Sequence, residues 1–196
     1  YGHHYTPQTI SNMTKAVSET VEAFNNRSLH NRYVCVYLDA TYIAVRRDTV
    51  SKEAVYIAVG IREDGSKEVL AYTIAPTESA YNWQELLEEL KDRGVEDVLL
   101  FISDGLKGMA DAVFNVFPKA IWRSIYSTNL IESFNKQIKK YTKRKEQFPN
   151  EESLERFLVT QFEDYNQRFA TRCHIGFNQA RAELEEMFEQ LHEPAN

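Results

Sequence analysis

The order of hydrophobic patterns along the chain constrains its fold more than any other feature. Residues 33–45 are rich in β-branched and aromatic side chains and have the two-residue period of a strand. Val34, Val36 and Leu38 fall on one side, and Cys35, Tyr37 and Asp39 fall on the other. Two more strand-like runs, 54–61 and 68–74, follow, and Glu63-Asp64-Gly65-Ser66 joins them. Asp-Gly tolerates the positive φ of a hairpin turn. We therefore expect three consecutive antiparallel strands.

Helical and buried-strand patterns come next. An apolar stripe predicts a helix over about 80–93, closed by Gly94, and the continuous apolar run 98–102 is typical of a buried strand. Ser103-Asp104-Gly105 is expected to end that strand and to open a helix to about residue 117. A short strand at 120–122 should follow.

Helices are expected at both ends of the chain as well. Thr6-Pro7 is a helix-start signal that predicts a helix over 7–25. A helix over 127–145 and a stripe after Pro149, interrupted near Gly176, predict C-terminal packing helices.

The resulting order, β-β-β-α-β followed by helices, is that of an RNase H-like fold of the α/β class. We expect a mixed sheet of about five strands flanked by helices, with C-terminal helices. The predicted organisation is a helical N-terminal arm at 1–32, the core at 33–150, and a C-terminal helical segment at 151–196 packed on the core.

Composition excludes several classes of protein. The longest strongly apolar run has five residues, far below the roughly 20 needed to span a bilayer, so no membrane association is expected. The two cysteines, Cys35 and Cys173, lie far apart without Cys-x-x-Cys spacing, so the sequence has neither a disulfide framework nor a zinc-finger signature. A reducing cytoplasm is the expected location, and the start at Tyr1 indicates that an N-terminal part is missing.

Charge is unevenly distributed. The net charge is -6, yet residues 123–145 contain seven basic residues and one acidic residue. Such a block is a candidate phosphate-binding surface, and a solvated helix face is the alternative. The candidate phosphate contacts are Lys107, Lys136, Lys139, Lys140, Lys143 and Arg144.

Three acidic residues form the candidate catalytic site. The first and fourth strands of this fold are neighbours, so Asp39 and Asp104 should lie close together, and Glu132 on the next helix could close the cluster. Three converging carboxylates are stable only around cations. Two Mg²⁺ or Mn²⁺ ions could stabilise the attacking and leaving oxygens of an in-line phosphoryl displacement.

Each acidic residue also has a structural alternative. Asp104 could cap the following helix, and Glu132 lies three residues after Asn129, as in a capping box. Asp39 is the least easily explained by structure, because an acid within an apolar strand is costly unless it is paired or bound to metal.

Three segments carry a family resemblance: Val36-Tyr37-Leu38-Asp39-Ala40-Thr41-Tyr42, Ile102-Ser103-Asp104-Gly105-Leu106-Lys107-Gly108, and Ile125-Tyr126-Ser127-Thr128-Asn129-Leu130-Ile131-Glu132-Ser133-Phe134-Asn135. They resemble the signature blocks of bacterial Mutator-type insertion-sequence transposases. The resemblance implies a DDE triad of Asp39, Asp104 and Glu132. It also implies that the first residues of the chain are the end of a DNA-binding region.

One departure from the family pattern is expected to matter. Members of the family usually carry a long helical insertion between the second Asp and the Glu, with a Cys-x-x-His motif near its start, whereas 28 positions separate Asp104 from Glu132 here. Trp122-Arg123 resembles the junction left by an internal deletion.

The leading hypothesis from the sequence is a transposase catalytic domain. It would cleave a DNA strand and transfer a 3′-hydroxyl, with element ends and target DNA as partners, as a homo-oligomer on DNA at the bacterial nucleoid. The alternatives are an inactive or regulatory remnant that binds DNA or transposase subunits, and a general RNase H-like nuclease or resolvase.

Overall fold

A computed structural model describes residues 6–46, 50–105, 108–124, 129–143, 147–173 and 175–192. The strands are β1 (Arg32–Arg46), β2 (Val50–Ile61), β3 (Lys67–Ala75), β4 (Asp97–Ser103) and β5 (Ile121–Ser124). The helices are α1 (Pro7–Asn26), α2 (Ala80–Asp92), α3 (Met109–Val116), α4 (Asn129–Thr142), α5 (Glu151–Phe169), α6 (Ile175–Gln179) and α7 (Arg181–Gln190).

The five strands form one mixed sheet in the order β3-β2-β1-β4-β5. β1 and β2 pair antiparallel, as do β2 and β3, while β4 is parallel to β1 and β5 is parallel to β4. This arrangement confirms the predicted RNase H-like sheet, including the neighbouring first and fourth strands on which the site depends.

The hairpin between β2 and β3 forms at the predicted segment. Gly65 adopts φ 81°, and its N–H donates to the Arg62 carbonyl at 2.9 Å. The Asp64 carboxylate accepts a hydrogen bond from the Ser66 N–H at 2.8 Å. The turn thus uses a glycine for the left-handed conformation and an aspartate to bind its own backbone.

Alternation along the strands builds a core on each face of the sheet. Val36 and Leu38 point to the face covered by α2 and α3, where Trp83 and Phe101 are buried. The opposite face is covered by α1, α4 and α5, and its core includes a group of aromatic residues: Phe24, Tyr72, Phe134, Phe148 and Phe162. The sheet is therefore a central layer between helices.

The helix after β4 begins later than the sequence predicted. Gly105 and Gly108 both have φ 86°, and α3 starts at Met109 with Gly108 as its N-cap. Left-handed backbone at Gly105 and Gly108 is not helical, so α3 does not begin at Gly105 as predicted. The alternative that Asp104 caps this helix is consequently wrong.

The break in the C-terminal helical region comes earlier than the predicted position near Gly176. α5 ends at Phe169, and Gly176 lies inside the short helix α6 rather than in a break.

The last helix, α7, is attached to the start of β1. The Arg32 guanidinium binds the Glu185 carboxylate at 2.7 Å and lies over the buried ring of Phe188. Across the described ranges, no helix combines the length and apolarity needed to cross a membrane.

Candidate active site

Strand pairing places Asp39 and Asp104 together. β1 and β4 run parallel with Tyr37 opposite Ile102, and Asp39 and Asp104 each lie two residues further along. Asp39 is still within β1 and pairs with Ile57 of β2, whereas Asp104 directly follows the end of β4. The two residues, called the acidic pair below, are therefore at the same level of the sheet on adjacent strands.

The Asp39 carboxylate is partly buried and held by two hydrogen bonds. Its Oδ1 accepts from the Ala40 N–H at 2.9 Å, and its Oδ2 accepts from Asn135 Nδ2 at 2.6 Å. Burial raises the pKa of Asp39, and the negative charge of Asp104 raises it further, while the two hydrogen bonds and Lys139 lower it. A cation between the two carboxylates would relieve their repulsion.

The turn that carries Asp104 is fixed by its neighbours on both sides. The Ser103 hydroxyl is buried and accepts a hydrogen bond from Trp122 Nε1 at 3.1 Å. A Cβ on Gly105 would lie 2.3 Å from Ser124 Oγ, in addition to facing the strain of its positive φ. β5 therefore supports the Asp104 turn, and only glycine fits at 105 without displacement.

Glu132 lies in the first turn of α4, and its side chain is 40% exposed. Its carboxylate is 3.9 Å from Lys136 Nζ, one helical turn away. Asn129 is the first residue of α4, and residues 125–128 lie outside the described part, so the capping-box alternative stays a prediction.

The structure brings the acidic pair together but does not add Glu132 to it. Among the residues that the structure describes, no three His, Cys, Asp or Glu side chains are arranged to hold one metal ion. The assignment of Asp39, Asp104 and Glu132 as a metal-binding triad stays a prediction.

Asn135 is the α4 residue that reaches Asp39, and it is not among the site residues expected from the sequence. It lies in the buried stripe of the helix with Ile131, Phe134 and Ile138. A signal was present in the sequence, because this polar residue occupies an apolar position in an i, i+3, i+4, i+7 pattern.

Glu78 is an acidic neighbour of the acidic pair, and the sequence did not single it out. Burial raises the pKa of its carboxyl, a hydrogen bond from Trp83 Nε1 at 3.3 Å lowers it, and the charges of Asp104 and Asp39 raise it. Nothing in its local sequence separates it from a solvated glutamate before a helix.

The loop that carries Glu78 is tightly held. The Tyr56 hydroxyl donates to the Thr77 carbonyl at 2.7 Å and accepts from the Ser79 N–H at 2.8 Å. Ser79 in turn caps α2 by accepting from the Asn82 N–H at 3.2 Å. The position of Glu78 near the acidic pair is therefore fixed by the fold.

The basic surface of α4 is exposed next to this site. The described candidates for phosphate contacts are all solvent-exposed: Lys136, Lys139, Lys140 and Lys143. The charge of Lys139 reaches Asp39 and lowers its pKa. Lys107 and Arg144 lie outside the described residues. Whether these side chains bind DNA stays a prediction.

The sequence profile of the family described as "Transposase, Mutator family" matches residues 1–123 and 113–172 of the chain. The chain belongs to the Mutator family of transposases. This confirms the resemblance seen in the signature blocks, and with it the predicted class of enzyme, a DNA transposase.

Individual relatives agree with the family assignment. The chain is 38% identical to the transposase for insertion sequence element IS905 of Lactococcus lactis subsp. lactis, over 96% of the chain and 68% of that protein. It is 35% identical to the transposase for IS1201 of Lactobacillus helveticus, over 84% of the chain and 66% of that protein. The chain thus spans about two thirds of the length of these Mutator transposases.

Among solved structures, the chain is similar to the catalytic domain of Mos1 mariner transposase. The sequence identity is 13%, the TM-score is 0.48, and all of both chains is covered.

The comparison with Mutator relatives also locates the expected internal shortening. The alignment to the IS905 protein covers 267 positions against 196 residues here, so the relative has at least 71 residues within the aligned span that this chain lacks. The two matched parts of the family profile overlap at 113–123, which includes the start of β5. The break in the profile match therefore falls between Asp104 and Glu132, where the sequence predicted a missing insertion.

The donors around the acidic pair suit a hard divalent cation. Asp39 and Asp104 supply carboxylate oxygens, and the buried Oδ1 of Asn135 has no hydrogen-bond partner within the described residues. Carboxylate and amide oxygens are the ligands that Mg²⁺ and Mn²⁺ select.

Proposed function

We propose that this chain performs metal-dependent DNA strand cleavage followed by strand transfer of the new 3′-hydroxyl. The observation that carries the proposal is the register of β1 and β4, which puts Asp39 and Asp104 side by side at the sheet. Membership in the Mutator family supports the same chemistry.

Asp39 and Asp104 would hold the divalent ions, and Glu132 would complete the set. Two bound ions would supply charge stabilisation for the attacking and leaving oxygens of an in-line displacement. In cleavage, water adds to phosphorus and the 3′ oxygen leaves with a proton, which yields a 3′-hydroxyl and a 5′-phosphate. In transfer, the oxygen of that 3′-hydroxyl would bond to a phosphorus of the target and lose its proton, while the bond from that phosphorus to the target 3′ oxygen breaks and this oxygen leaves as a 3′-hydroxyl.

The chain's own residues would position the acidic pair for this reaction. The hydrogen bond from the Ala40 N–H fixes one oxygen of Asp39, and the Ser103–Trp122 contact fixes the turn before Asp104. Because strand pairing and these contacts exist in the folded chain, the backbone positions of Asp39 and Asp104 would be set before metal or DNA binds.

The first test is thermal unfolding of the chain and of Asp39→Asn with and without Mn²⁺. A ligand at 100 times its dissociation constant stabilises the folded state by about 2.7 kcal/mol if it binds only that state. We expect the shift in the parent chain and its loss in Asp39→Asn. A cooperatively folded parent without a shift would contradict metal binding and would favour the regulatory remnant.

Reaction products separate the remaining alternatives. A labelled element end incubated with target DNA should give both nicked ends and joined products. Cleavage of branched or hybrid substrates without joining would instead identify a general nuclease or resolvase.

The proposed substrate is double-stranded DNA, both element ends and target, and the exposed lysines of α4 are the proposed phosphate contacts. Replacing Lys139 and Lys140 with Ala should weaken DNA binding for all sequences and lower the slope of log K against log salt by roughly 0.9 per lost contact. The matched control is the double variant Lys91→Ala with Lys119→Ala, two exposed lysines beside Asp97 at the start of β4 and therefore at the opposite end of that strand from Asp104. An unchanged slope in the double variant would mean that α4 is a solvated surface.

We further propose that the chain acts as a homo-oligomer on DNA in the bacterial cytoplasm, at the nucleoid. The chain lacks at least 71 residues that the IS905 protein has within the aligned span, so its own oligomeric state has to be measured. Light scattering of the chain with and without an element-end duplex measures it directly, and a DNA complex containing one chain would contradict the proposal.

A further inference from the structure

Asn135 is a buried polar residue in the middle of the packing face of α4. It is 6% exposed and lies among the apolar side chains of Ile131, Phe134 and Ile138. A polar amide in such a stripe is costly unless its hydrogen-bonding groups are used. Its partners therefore indicate why it is there.

One half of the amide is used by the acidic pair. Asn135 Nδ2 donates to Asp39 Oδ2 at 2.6 Å, across 96 positions of sequence. Because an ionised carboxylate only accepts hydrogen bonds, the NH₂ group must face Asp39. This contact joins α4 to β1 at the residue on which the proposed chemistry depends.

The other half of the amide has no partner. The Oδ1 atom of Asn135 is buried and accepts no hydrogen bond within the described residues. The amide group is planar and rigid, so with its nitrogen on Asp39 the Oδ1 atom is bonded to the same carbon and stays close to that contact. An amide oxygen at this place can be satisfied by a divalent cation shared with Asp39.

The charge balance of the site explains why a neutral oxygen donor is suited to this position. Asp39, Asp104 and Glu78 already act on one another as like charges. An amide adds a ligand oxygen without a further negative charge, and its NH₂ group offsets the charge of Asp39.

We propose that Asn135 is a positioning residue for Asp39 and also supplies a neutral oxygen ligand to the divalent cation. The proposal rests on the proposed function, since the ion is the one that the acidic pair would bind. It assigns to α4 a contribution to the site that is separate from that of Glu132.

The test is a Mn²⁺ titration followed by thermal unfolding of the full 196-residue chain. The variants are Asn135→Leu, which removes both polar groups at similar volume, and Asn135→Asp, which keeps an oxygen at Oδ1. Asn166→Leu is the matched control. Asn166 also links a helix to a strand, since its side chain binds the Val69 N–H at 2.7 Å and the Val69 carbonyl at 3.3 Å, but it has no contact with the acidic pair.

We expect Asn135→Leu to raise the Mn²⁺ concentration at half-maximal shift by at least about tenfold, the usual effect of losing a supporting group at a metal site. Asn135→Asp should unfold at lower temperature in metal-free buffer, because it places a carboxylate against Asp39. With Mn²⁺ its half-maximal concentration should return to the parent value or below. Asn166→Leu should lower the unfolding temperature and leave the Mn²⁺ midpoint unchanged.

The outcomes separate this inference from the function on which it rests. If Mn²⁺ raises the unfolding temperature of the parent chain and of Asn135→Leu with the same midpoint concentration, the role of Asn135 is wrong but the metal function stands. If Asn135→Asp binds Mn²⁺ no better than Asn135→Leu, the amide oxygen is not a ligand. The absence of a shift in the parent chain would overturn the proposed metal function itself.

Discussion

The proposed site has two parts: the sheet half, which is Asp39 and Asp104, and the helix half, which is the α4 residues Glu132 and Asn135. Different interactions place the two halves. Asp39 and Asp104 follow from the hydrogen-bonded register of β1 and β4, which leaves little freedom in their relative position. Glu132 depends on how α4 packs and on the connection from β5, which is shortened in this chain. The sheet half is therefore expected to survive an internal deletion better than the helix half.

This difference shows which part of a metal site can be preserved when a domain loses an insertion. Strand pairing is a repeated backbone interaction, and the β1–β4 pairs all lie before the predicted site of the missing segment. A helix placed by side-chain packing can rotate or shift by a fraction of a turn, and that is enough to redirect a glutamate. In this chain α4 presents Asn135 to Asp39 and pairs Glu132 with Lys136.

The largest expected effects are on cleavage and Mn²⁺ stabilisation, and they distinguish the sheet half from the helix half. Asp104→Asn should abolish strand cleavage and remove the Mn²⁺ stabilisation, about 2.7 kcal/mol at 100 times the dissociation constant. Glu132→Gln should also abolish cleavage, yet it should keep most of the Mn²⁺ stabilisation of the DNA-free chain, because its carboxylate is not with the acidic pair. Calorimetry and a nicking assay measure the two properties.

Glu152→Gln is the control for this comparison, since Glu152 forms an exposed i, i+4 pair with Arg156 as Glu132 does with Lys136. Without metal, both glutamine variants should change the free energy of unfolding by less than about 0.5 kcal/mol. Equal loss of Mn²⁺ stabilisation in Asp104→Asn and Glu132→Gln would show that both halves are assembled, and the contrast drawn here would be wrong.

The second effect tests how strictly the sheet half is fixed. Gly105→Ala combines a positive φ with a Cβ 2.3 Å from Ser124 Oγ, and it should destabilise the fold by about 1–3 kcal/mol. It should also weaken Mn²⁺ binding, because it moves the turn that carries Asp104.

Gly65→Ala separates strain from displacement. Gly65 has a similar positive φ of 81° in the β2–β3 turn, so its replacement carries a comparable backbone cost. Its Mn²⁺ midpoint should equal that of the parent. If Gly105→Ala leaves the midpoint unchanged as well, the turn at Asp104 is not held by β5.

A smaller effect concerns the residue at the internal junction. Trp122→Phe removes the donor to the buried Ser103 hydroxyl and should lower stability by about 0.5–1.5 kcal/mol. Chemical denaturation of Trp122→Phe, Ser103→Ala and the double variant measures the coupling. Additive losses would show that the contact does not support the Asp104 turn.

The sheet could be predicted from the sequence because each of its elements carries a local signal. Alternation gives β1, the Asp-Gly turn gives the β2–β3 hairpin, and the continuous run at 98–102 gives β4. The order of these elements then places Asp39 beside Asp104. The start of α3 was missed because the backbone of Gly105 and Gly108 determines it, and glycine is compatible with several conformations.

The helix half was harder to predict because it depends on packing between distant segments. The contact of Asn135 with Asp39 spans 96 positions. The apolar stripe of α4 indicates which face is buried, but it does not indicate that Asn135 meets Asp39. Glu78 reaches the acidic pair through a loop held by the Tyr56 hydroxyl, which lies on a different strand. Such contacts are set by the assembled fold.

The smallest expected effect is the change in the free energy of unfolding caused by Glu78→Gln. This variant tests whether Glu78 acts with Asp39 and Asp104 as a third acidic group. In metal-free buffer Glu78→Gln should raise the free energy of unfolding by less than about 1 kcal/mol. It removes repulsion from Asp39 and Asp104, and water screens this partly exposed group. The glutamine can still accept the hydrogen bond from Trp83 Nε1.

Added salt provides the decisive readout for Glu78. If like-charge repulsion is the cause, the gain of Glu78→Gln should shrink as ionic strength rises and disappear when Mn²⁺ neutralises the acidic pair. Glu88→Gln, on the outer surface of α2, should show no such dependence. A loss of stability in Glu78→Gln, or a gain independent of salt and Mn²⁺, would mean that Glu78 only closes the loop before α2. The acidic pair would then be the whole of the sheet half.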